Sequence, residues 1–271
     1  MTRDSIELET NGNSLVKRVI CKEMTLSTNS DLMELFRTGG EDGTLLVANK
    51  QTGGRGRSGR SWENYGDNSI AMSLLLIPSF GKEYAGSITL LMGLAVRRAI
   101  LEMTQLSDET RDDLKIKWPN DIVYKGHKIC GILTEMAADY GSDRYGLVIG
   151  VGINVKESGY SADIYTNPGS VKDVLGFEVS REKLIGLVLY FFAGLYRDYE
   201  ENLNVGCVMA EYEDSLSGFG KRVKVLDPSG EYEGLLEGID EMGQLLVRRD
   251  DGTVNKVYSG EVSIRGLYGY V

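Results

Sequence analysis

The hydrophobic pattern of this chain predicts an α+β fold, with helices packed on a mixed or antiparallel sheet and a small all-β unit after it. Three observations carry that reading. Strand-like and helix-like runs are intermixed, without the regular alternation that a doubly wound parallel sheet needs. Between residues 114 and 155 several strand patterns follow one another with no helical pattern between them. After Ser217-Gly218-Phe219-Gly220 the apolar runs shorten and are separated by turn signals such as Asp227-Pro228-Ser229-Gly230 and Asp250-Asp251-Gly252. The expected division is a main domain over residues 1–217 and a small β barrel over 218–271 that leans on the main domain for stability.

Taken in order, a polar tail leads into residues 15–20, a first strand. Ser27-Thr28-Asn29-Ser30 precedes a short helical pattern through Phe36, with Asn29 or Ser30 as its cap and Gly39-Gly40 as its stop. Residues 44–48 read as a buried strand running into a Gly/Arg loop over 51–60, and residues 69–77 as a further apolar strand. Over 85–103, Ile88, Leu91, Ala95, Ala99 and Met103 fall at helical spacing, with Arg97 and Arg98 on the opposite side. Residues 114–118, 122–124 and 128–136 read as strands, and Lys125-Gly126 turns the chain between the last two. The run 147–155 is apolar and punctuated by glycine, which lets a ligand or another backbone come close. Residues 181–199 and 205–216 are expected to be helical.

Composition narrows the chemistry. A chain that is 42% hydrophobic and 26% charged can bury a core. Its 34 glycines exceed the usual level and imply many tight backbone passages. The single histidine, His127, excludes mechanisms that need two imidazoles within one chain, zinc sites of the HExxH kind among them. Cys21, Cys130 and Cys207 lie far apart with no CxxC spacing, which fits a reducing compartment. The opening residues lack the apolar run of a secretory signal, and the longest apolar stretch, over 187–196, falls well short of the roughly 20 residues that span a bilayer. A cytoplasmic protein without a membrane partner is expected. A net charge of −10 disfavours broad binding to nucleic acid and leaves room for a local basic site.

Such a site stands out at Gln51-Thr52-Gly53-Gly54-Arg55-Gly56-Arg57-Ser58-Gly59-Arg60-Ser61-Trp62. From Gly43 through Trp62 there is no acidic residue, although 40 of 271 residues are acidic, while Lys50, Arg55, Arg57 and Arg60 supply four cations. Glycines let backbone N–H groups approach a phosphate, and arginine forks bind its oxygens in pairs. Gly54-x-Gly56-x-x-Gly59 satisfies a dinucleotide fingerprint, and Gly54-x-x-x-x-Gly59-Arg60-Ser61 resembles a P-loop with arginine for lysine. Both motifs demand a helix directly after the loop, and a turn-rich run follows instead. A solvated flexible loop would explain the glycines but not the missing acids.

Two further segments carry chemistry. In Lys117-Trp118-Pro119-Asn120-Asp121 the proline holds Trp118 extended, and Asn120-Asp121 sit where two strands meet. Asp121 could hold a magnesium ion or orient an incoming amine; an Asx turn is the bland alternative. Lys128, with Gly131 on the next strand, could reach a carboxylate or phosphate, or simply face outward.

Together these segments resemble the biotin protein ligases. The resemblance rests on Gly54-Arg55-Gly56-Arg57-Ser58-Gly59-Arg60-x-Trp62, on Lys117-Trp118-Pro119-Asn120-Asp121, on Lys128-x-x-Gly131-Ile132-Leu133-x-Glu135 and on Gly150-x-Gly152-Ile153-Asn154, in that order, over roughly residues 15–271. It implies a catalytic domain similar to that of class II aminoacyl-tRNA synthetases and an SH3-like C-terminal barrel. It also implies condensation of biotin with ATP and magnesium to biotinyl-5′-AMP, then transfer to a lysine of a biotin carboxyl carrier protein. By resemblance, Ser27, Thr28, Asn29, Gln51 and Gly131 would line the biotin pocket, Arg55, Gly56 and Arg57 would close over biotin and the adenylate phosphate, and Gly54 and Trp62 would also bind substrate or cofactor. Arg57, Lys128 and Asp121 would be catalytic, Asp121 either as the magnesium ligand or as the group that positions the target lysine or accepts its proton. Lys117, Asn120, Gly152 and Asn154 would serve substrate or nucleotide.

The short segment before Ser27 leaves no room for the N-terminal DNA-binding domain of bifunctional members, so a monofunctional type without DNA binding is expected; the oligomeric state stays open, a homodimer included. Tyr160 and Tyr165 are the tyrosines of the segment where adenine would bind, and no adenine contact is assigned. Fixed cations beside a carboxylate attacking a phosphate lower the barrier without any histidine, and a glycine-rich flap that excludes water protects a hydrolysable acyl adenylate. Lipoate–protein ligation, a non-catalytic nucleic-acid-binding protein and a P-loop NTPase are the competing readings.

Overall fold

The computed structural model describes residues 1–63, 66–139, 144–156, 167–227, 230–258 and 263–266. The elements run α1 (Arg3–Glu9), β1 (Arg18–Thr25), α2 (Thr28–Arg37), β2 (Thr44–Gln51), β3 (Gly54–Arg55), β4 (Ser61–Trp62), β5 (Ser69–Leu76), α3 (Ser87–Thr104) and α4 (Asp108–Arg111). Then come β6 (Leu114–Lys117), β7 (Asp121–Tyr124), β8 (His127–Ala138), β9 (Tyr145–Asn154), α5 (Val171–Leu175), α6 (Arg181–Asn202) and α7 (Met209–Ser215). Five strands close the described chain: β10 (Arg222–Leu226), β11 (Tyr232–Ile239), β12 (Leu245–Arg248), β13 (Val254–Val257) and β14 (Ser263–Gly266).

Seven strands form one sheet in the order β1-β2-β5-β9-β8-β7-β6. Its first pair is parallel and the rest antiparallel, so the sheet is mixed, as expected. Because side chains alternate across a strand, one set faces each layer. Leu45, Val47, Leu74, Leu147 and Ile149 pack with α3 and α6, while Leu46, Leu75 and Val148 pack with Leu32 and Phe36 of α2. Residues 82–104 are long and apolar enough to cross a membrane by composition, with an 18-residue window of mean hydropathy 1.3; 72% of that window is buried here in the core, where α3 lies.

Several boundaries depart from the sequence reading. The opening tail forms α1, because Thr2 and Ser5 build a reciprocal capping box and Ile6 is fully buried. The first strand starts at Arg18 rather than Leu15: Asn13 Oδ1 accepts from the Leu15 and Val16 amides, turning the chain just before it pairs with β2. Ser27, not Asn29 or Ser30, caps α2, its Oγ accepting from the Ser30 amide. The helix expected over 205–216 is a 3-10 turn at Gly206–Val208 followed by α7.

The C-terminal strands form a second, antiparallel sheet in the order β13-β12-β11-β10-β14; among the described residues β13 and β14 do not pair with each other. It is docked rather than tethered. The β11–β12 turn receives hydrogen bonds at Gly243 O from Trp118 Nε1 (3.1 Å), at Met242 O from Ser87 Oγ (3.0 Å) and at Glu241 O from Val205 N (2.8 Å).

Candidate active site

One register row places the site. Lys117 pairs with Asp121, Asp121 with Gly131, Gly131 with Gly152 and Gly152 with Ala71, so these five residues line up across four strand junctions on the α2 side of the sheet. Beside that row, Gly150 pairs with Ser73 and Leu133. Small residues at 71, 73, 131, 150 and 152 strip side chains from this face and leave a cavity of about 370 Å³ just beyond the start of α2. Of the residues given a catalytic or binding role from the sequence, all but Gly54 line it.

One end of the cavity is polar and neutral. The start of α2 tips Thr28 and Asn29 onto the sheet. Gln51 Oε1 accepts from Thr28 N (2.8 Å) and Thr28 Oγ1 (3.1 Å), and Ser73 Oγ lies 2.7 Å from Thr28 Oγ1 and 2.6 Å from Asn29 Oδ1. Asn29 Nδ2 donates to Leu133 O at 3.0 Å and to Glu135 Oε2 at 2.9 Å. Both of its protons are therefore committed, and its oxygen, which accepts from Ser73 Oγ over Gly150, keeps a second lone pair at the cavity wall.

The other end is cationic. Lys128 Nζ sits 2.8 Å from Asp121 Oδ1, with the two side chains 17% and 10% exposed. Arg57 Nη1 donates to Asn120 Oδ1 at 3.1 Å, and Asn120 Nδ2 donates to Ile132 O at 2.9 Å. Burial pulls the Arg57 guanidinium below its ordinary value, with Asp121 opposing and Arg60 reinforcing the shift. Burial likewise pulls the Lys117 amine down to about 7; Asp121 opposes this, and Arg265, Lys128 and Arg60 add to it. So many cations around a single buried carboxylate make a site that gains from receiving an anion.

The Gly/Arg loop forms no helix. It folds as a hairpin in which Gly54 pairs with Trp62, Arg55 with Ser61, and Gly56 N donates to Arg60 O. The turn is made at Ser58 and Gly59, both left-handed, and Gly59 at φ 72° is where glycine is needed. Arg55 Nη2 bonds Glu135 Oε2 at 2.7 Å. The hairpin drops the Trp62 indole onto the glycine floor: a Cβ at Gly131 would sit 2.9 Å from Trp62 Cζ3, and one at Gly152 would overlap the indole. Trp62 Nε1 is buried there without a hydrogen-bond partner among the described residues, and Lys128 Nζ stands 5.5 Å from the ring. Gly54 is a packing position, since a Cβ there would lie 2.6 Å from Gln51 Nε2.

Asn154 Nδ2 donates to Gly169 O at 3.0 Å, joining β9 to the segment whose Asn167 O accepts from Lys128 N. Tyr160 and Tyr165 lie outside the described residues. Sequence reasoning missed Ser73, whose signal was a polar residue inside an apolar strand, and Glu135, which it noted only as part of a motif. It also missed Arg265 of β14, whose proximity to Lys117 has no local signal.

Comparison with known proteins agrees with this geometry. Residues 21–154 match the model of the biotin/lipoate A/B protein ligase family, and residues 218–265 match the biotin protein ligase C-terminal domain. The chain is 32% identical over 250 residues to the bifunctional ligase/repressor BirA of Bacillus subtilis, covering 92% of this chain and 74% of that protein. It is 30% identical over 241 residues to the biotin–[acetyl-CoA-carboxylase] ligase of Mycobacterium tuberculosis, covering 88% and 85%. The biotin protein ligase from Aquifex aeolicus in complex with biotin and ATP superposes with a TM-score of 0.79 at 28% identity, over 92% of this chain and 99% of that one.

Proposed function

The chain belongs to the biotin protein ligases of the biotin/lipoate A/B protein ligase family, and we propose that the cleft beneath its glycine–arginine hairpin is where biotin and ATP react. The enzyme is an ATP-dependent biotin ligase. A biotin carboxylate oxygen attacks the α-phosphorus of ATP, the bond to pyrophosphate breaks, and biotinyl-5′-AMP remains. A lysine ε-amine of a biotin carboxyl carrier protein then attacks the acyl carbon, AMP leaves, and the amine gives up a proton.

The two ends of the cavity suit the two ends of that acyl group. A ureido ring offers two N–H donors and one carbonyl acceptor, and the neutral end supplies Asn29 Oδ1 as acceptor with the hydroxyls of Ser27 and Thr28. The Trp62 indole, seated on Gly131 and Gly152, offers a flat apolar wall against which a bicycle can stack. At the cationic end, Arg57, Lys117 and Lys128 surround the position where carboxylate and phosphate meet, stabilising charge that grows on the phosphoryl oxygens. An anion arriving beside Lys117 also favours its charged form, reversing the effect of burial. The hairpin, with Trp62 facing inward, excludes water from the acyl adenylate.

A magnesium ion is expected to accompany the triphosphate. As a protein ligand for it Asp121 fits poorly: its carboxylate is paired with Lys128, and among the described residues no three carboxylate, thiol or imidazole groups cluster. No step is therefore routed through a protein-held metal. Asp121 instead fixes the Lys128 amine and is a buried acceptor for the proton released by the carrier lysine. The reaction belongs in the cytoplasm, where ATP and carboxylases meet.

The register row that sets the cations against the glycine floor carries this reading. Its test is mass spectrometry of a carrier domain incubated with the protein, ATP, magnesium and biotin. One biotinyl group on the carrier is expected; an unmodified carrier, or a lipoylated one with lipoate substituted, would overturn it.

A further inference from the structure

We propose that Glu135 is a positioning residue that latches the glycine–arginine hairpin and couples its closure to the amide that faces the ligand's ring. The inference rests on the reading that this cavity holds biotin and its adenylate. Glu135 stands on β8 two positions beyond Leu133 and four beyond Gly131, so strand alternation puts it on the cavity face, at the rim. A single carboxylate oxygen, Oε2, accepts from Arg55 Nη2 of the hairpin at 2.7 Å and from Asn29 Nδ2 of α2 at 2.9 Å. One atom thus joins the lid to the pocket.

The hairpin has a second tether, from Arg57 Nη1 to Asn120 Oδ1, and Asn120 in turn bonds Ile132 O. Both tethers run to β8, but they differ in chemistry. The Arg57 tether ends on a neutral amide, whereas the Arg55 tether is an ion pair whose side chains are 43% and 23% exposed, within reach of dissolved salt. Asn29 has no proton to spare, since its other N–H goes to Leu133 O. A ligand that engages Asn29 Oδ1 therefore steadies an amide that also holds Glu135, and Glu135 holds Arg55. By reciprocity, a hairpin held shut by Arg55 steadies the amide that meets the ring.

Three full-length variants test this: Glu135→Gln, which keeps an oxygen for Asn29 but removes the charge, Arg55→Gln, and the two combined. Hydrogen–deuterium exchange of a peptide spanning residues 53–63, in protein without substrates, reads hairpin opening directly. Each single variant is expected to speed exchange about threefold to tenfold, the double variant no more than either, and added salt should speed exchange in the parent chain only. Additive effects, or a hairpin indifferent to both substitutions and to salt, would overturn the latch. The same variants in a single turnover should lose biotinyl-AMP faster by a similar factor and raise KM for biotin, and in Glu135→Gln, which leaves every residue around the phosphate in place, KM should move more than kcat for adenylation. If the hairpin loosens and none of these moves, the latch stands but the coupling to the ligand is refuted. A fall in kcat and melting temperature together, without salt dependence, would mark Glu135 as merely structural and sink the proposal.

Discussion

Replacing Lys128 by Gln separates the two duties assigned to that residue. In the parent chain Lys128 Nζ neutralises an Asp121 carboxylate that is only 10% exposed. Deleting one member of a buried ion pair costs about 3–5 kcal/mol when nothing else compensates. Here Arg57 and Lys117 remain in the field of Asp121, so about 2–3 kcal/mol is expected. For a chain of this size that is a fall in melting temperature of roughly 4–10 °C. Adding Asp121→Asn removes the unbalanced carboxylate and should restore part of the loss, the remainder persisting because Arg57 and Lys117 give up their counter-charge. Activity should not follow, because the cation facing the reacting phosphate is still missing; removing one such donor costs about 10²–10³ in rate. Calorimetric melting and ATP–pyrophosphate exchange with biotin read the two quantities separately. A double variant that regained the exchange rate along with its stability would refute the argument, as would Lys128→Gln working within about threefold of the parent.

The remaining predictions concern the floor, the buried amine and the docked sheet. Gly152→Ala puts a methyl into the Trp62 indole; overpacking of about 1–3 kcal/mol, or roughly fivefold to 150-fold in biotin affinity, should appear in titration calorimetry, and an unchanged affinity would show that Trp62 does not seat on that floor. Lys117, pulled to about 7 when folded, binds fewer protons than the unfolded chain between that pH and its ordinary range near 10.5. Its burial is thus most costly below pH 7 and is relieved as pH rises, so Lys117→Met should stabilise the protein most at pH 6 and progressively less toward pH 10, and a pH-independent difference in denaturant midpoint would contradict this. Trp118→Phe strands Gly243 O and should cost about 1–3 kcal/mol, with faster proteolysis after residue 217; proteolysis unchanged from the parent would mean the sheet is held elsewhere.

Much of this could be read before any coordinates. The Gly/Arg segment was visible because a functional constraint had removed its acids, and the absence of a helical pattern after Trp62 ruled out a nucleotide cradle; the hairpin agrees. The cluster from Lys117 to Asp121 was legible as two strands meeting, and pairing placed both end residues on one face. What stayed hidden was long-range or lightly encoded. α1 is held by one buried isoleucine and two hydroxyl caps, too little for a periodic signal. Arg55 and Glu135 are 80 residues apart in sequence. Their meeting depends on the register of β8 against β9 and on the twist of a nine-residue hairpin, neither of which a local pattern specifies.

The account turns on a hairpin that keeps an acyl adenylate from water, and Arg57→Gly addresses it most directly, since that substitution cuts the tether to Asn120 and removes a cation while leaving the ring-binding end intact. With biotin and labelled ATP in a single turnover, followed by dilution, the fraction of biotinyl-AMP found free in solution is the quantity to measure. The parent chain should retain its intermediate until a carrier domain is added, and the variant should still bind biotin but release the adenylate. Equal retention by both proteins would contradict the hairpin's role as a lid.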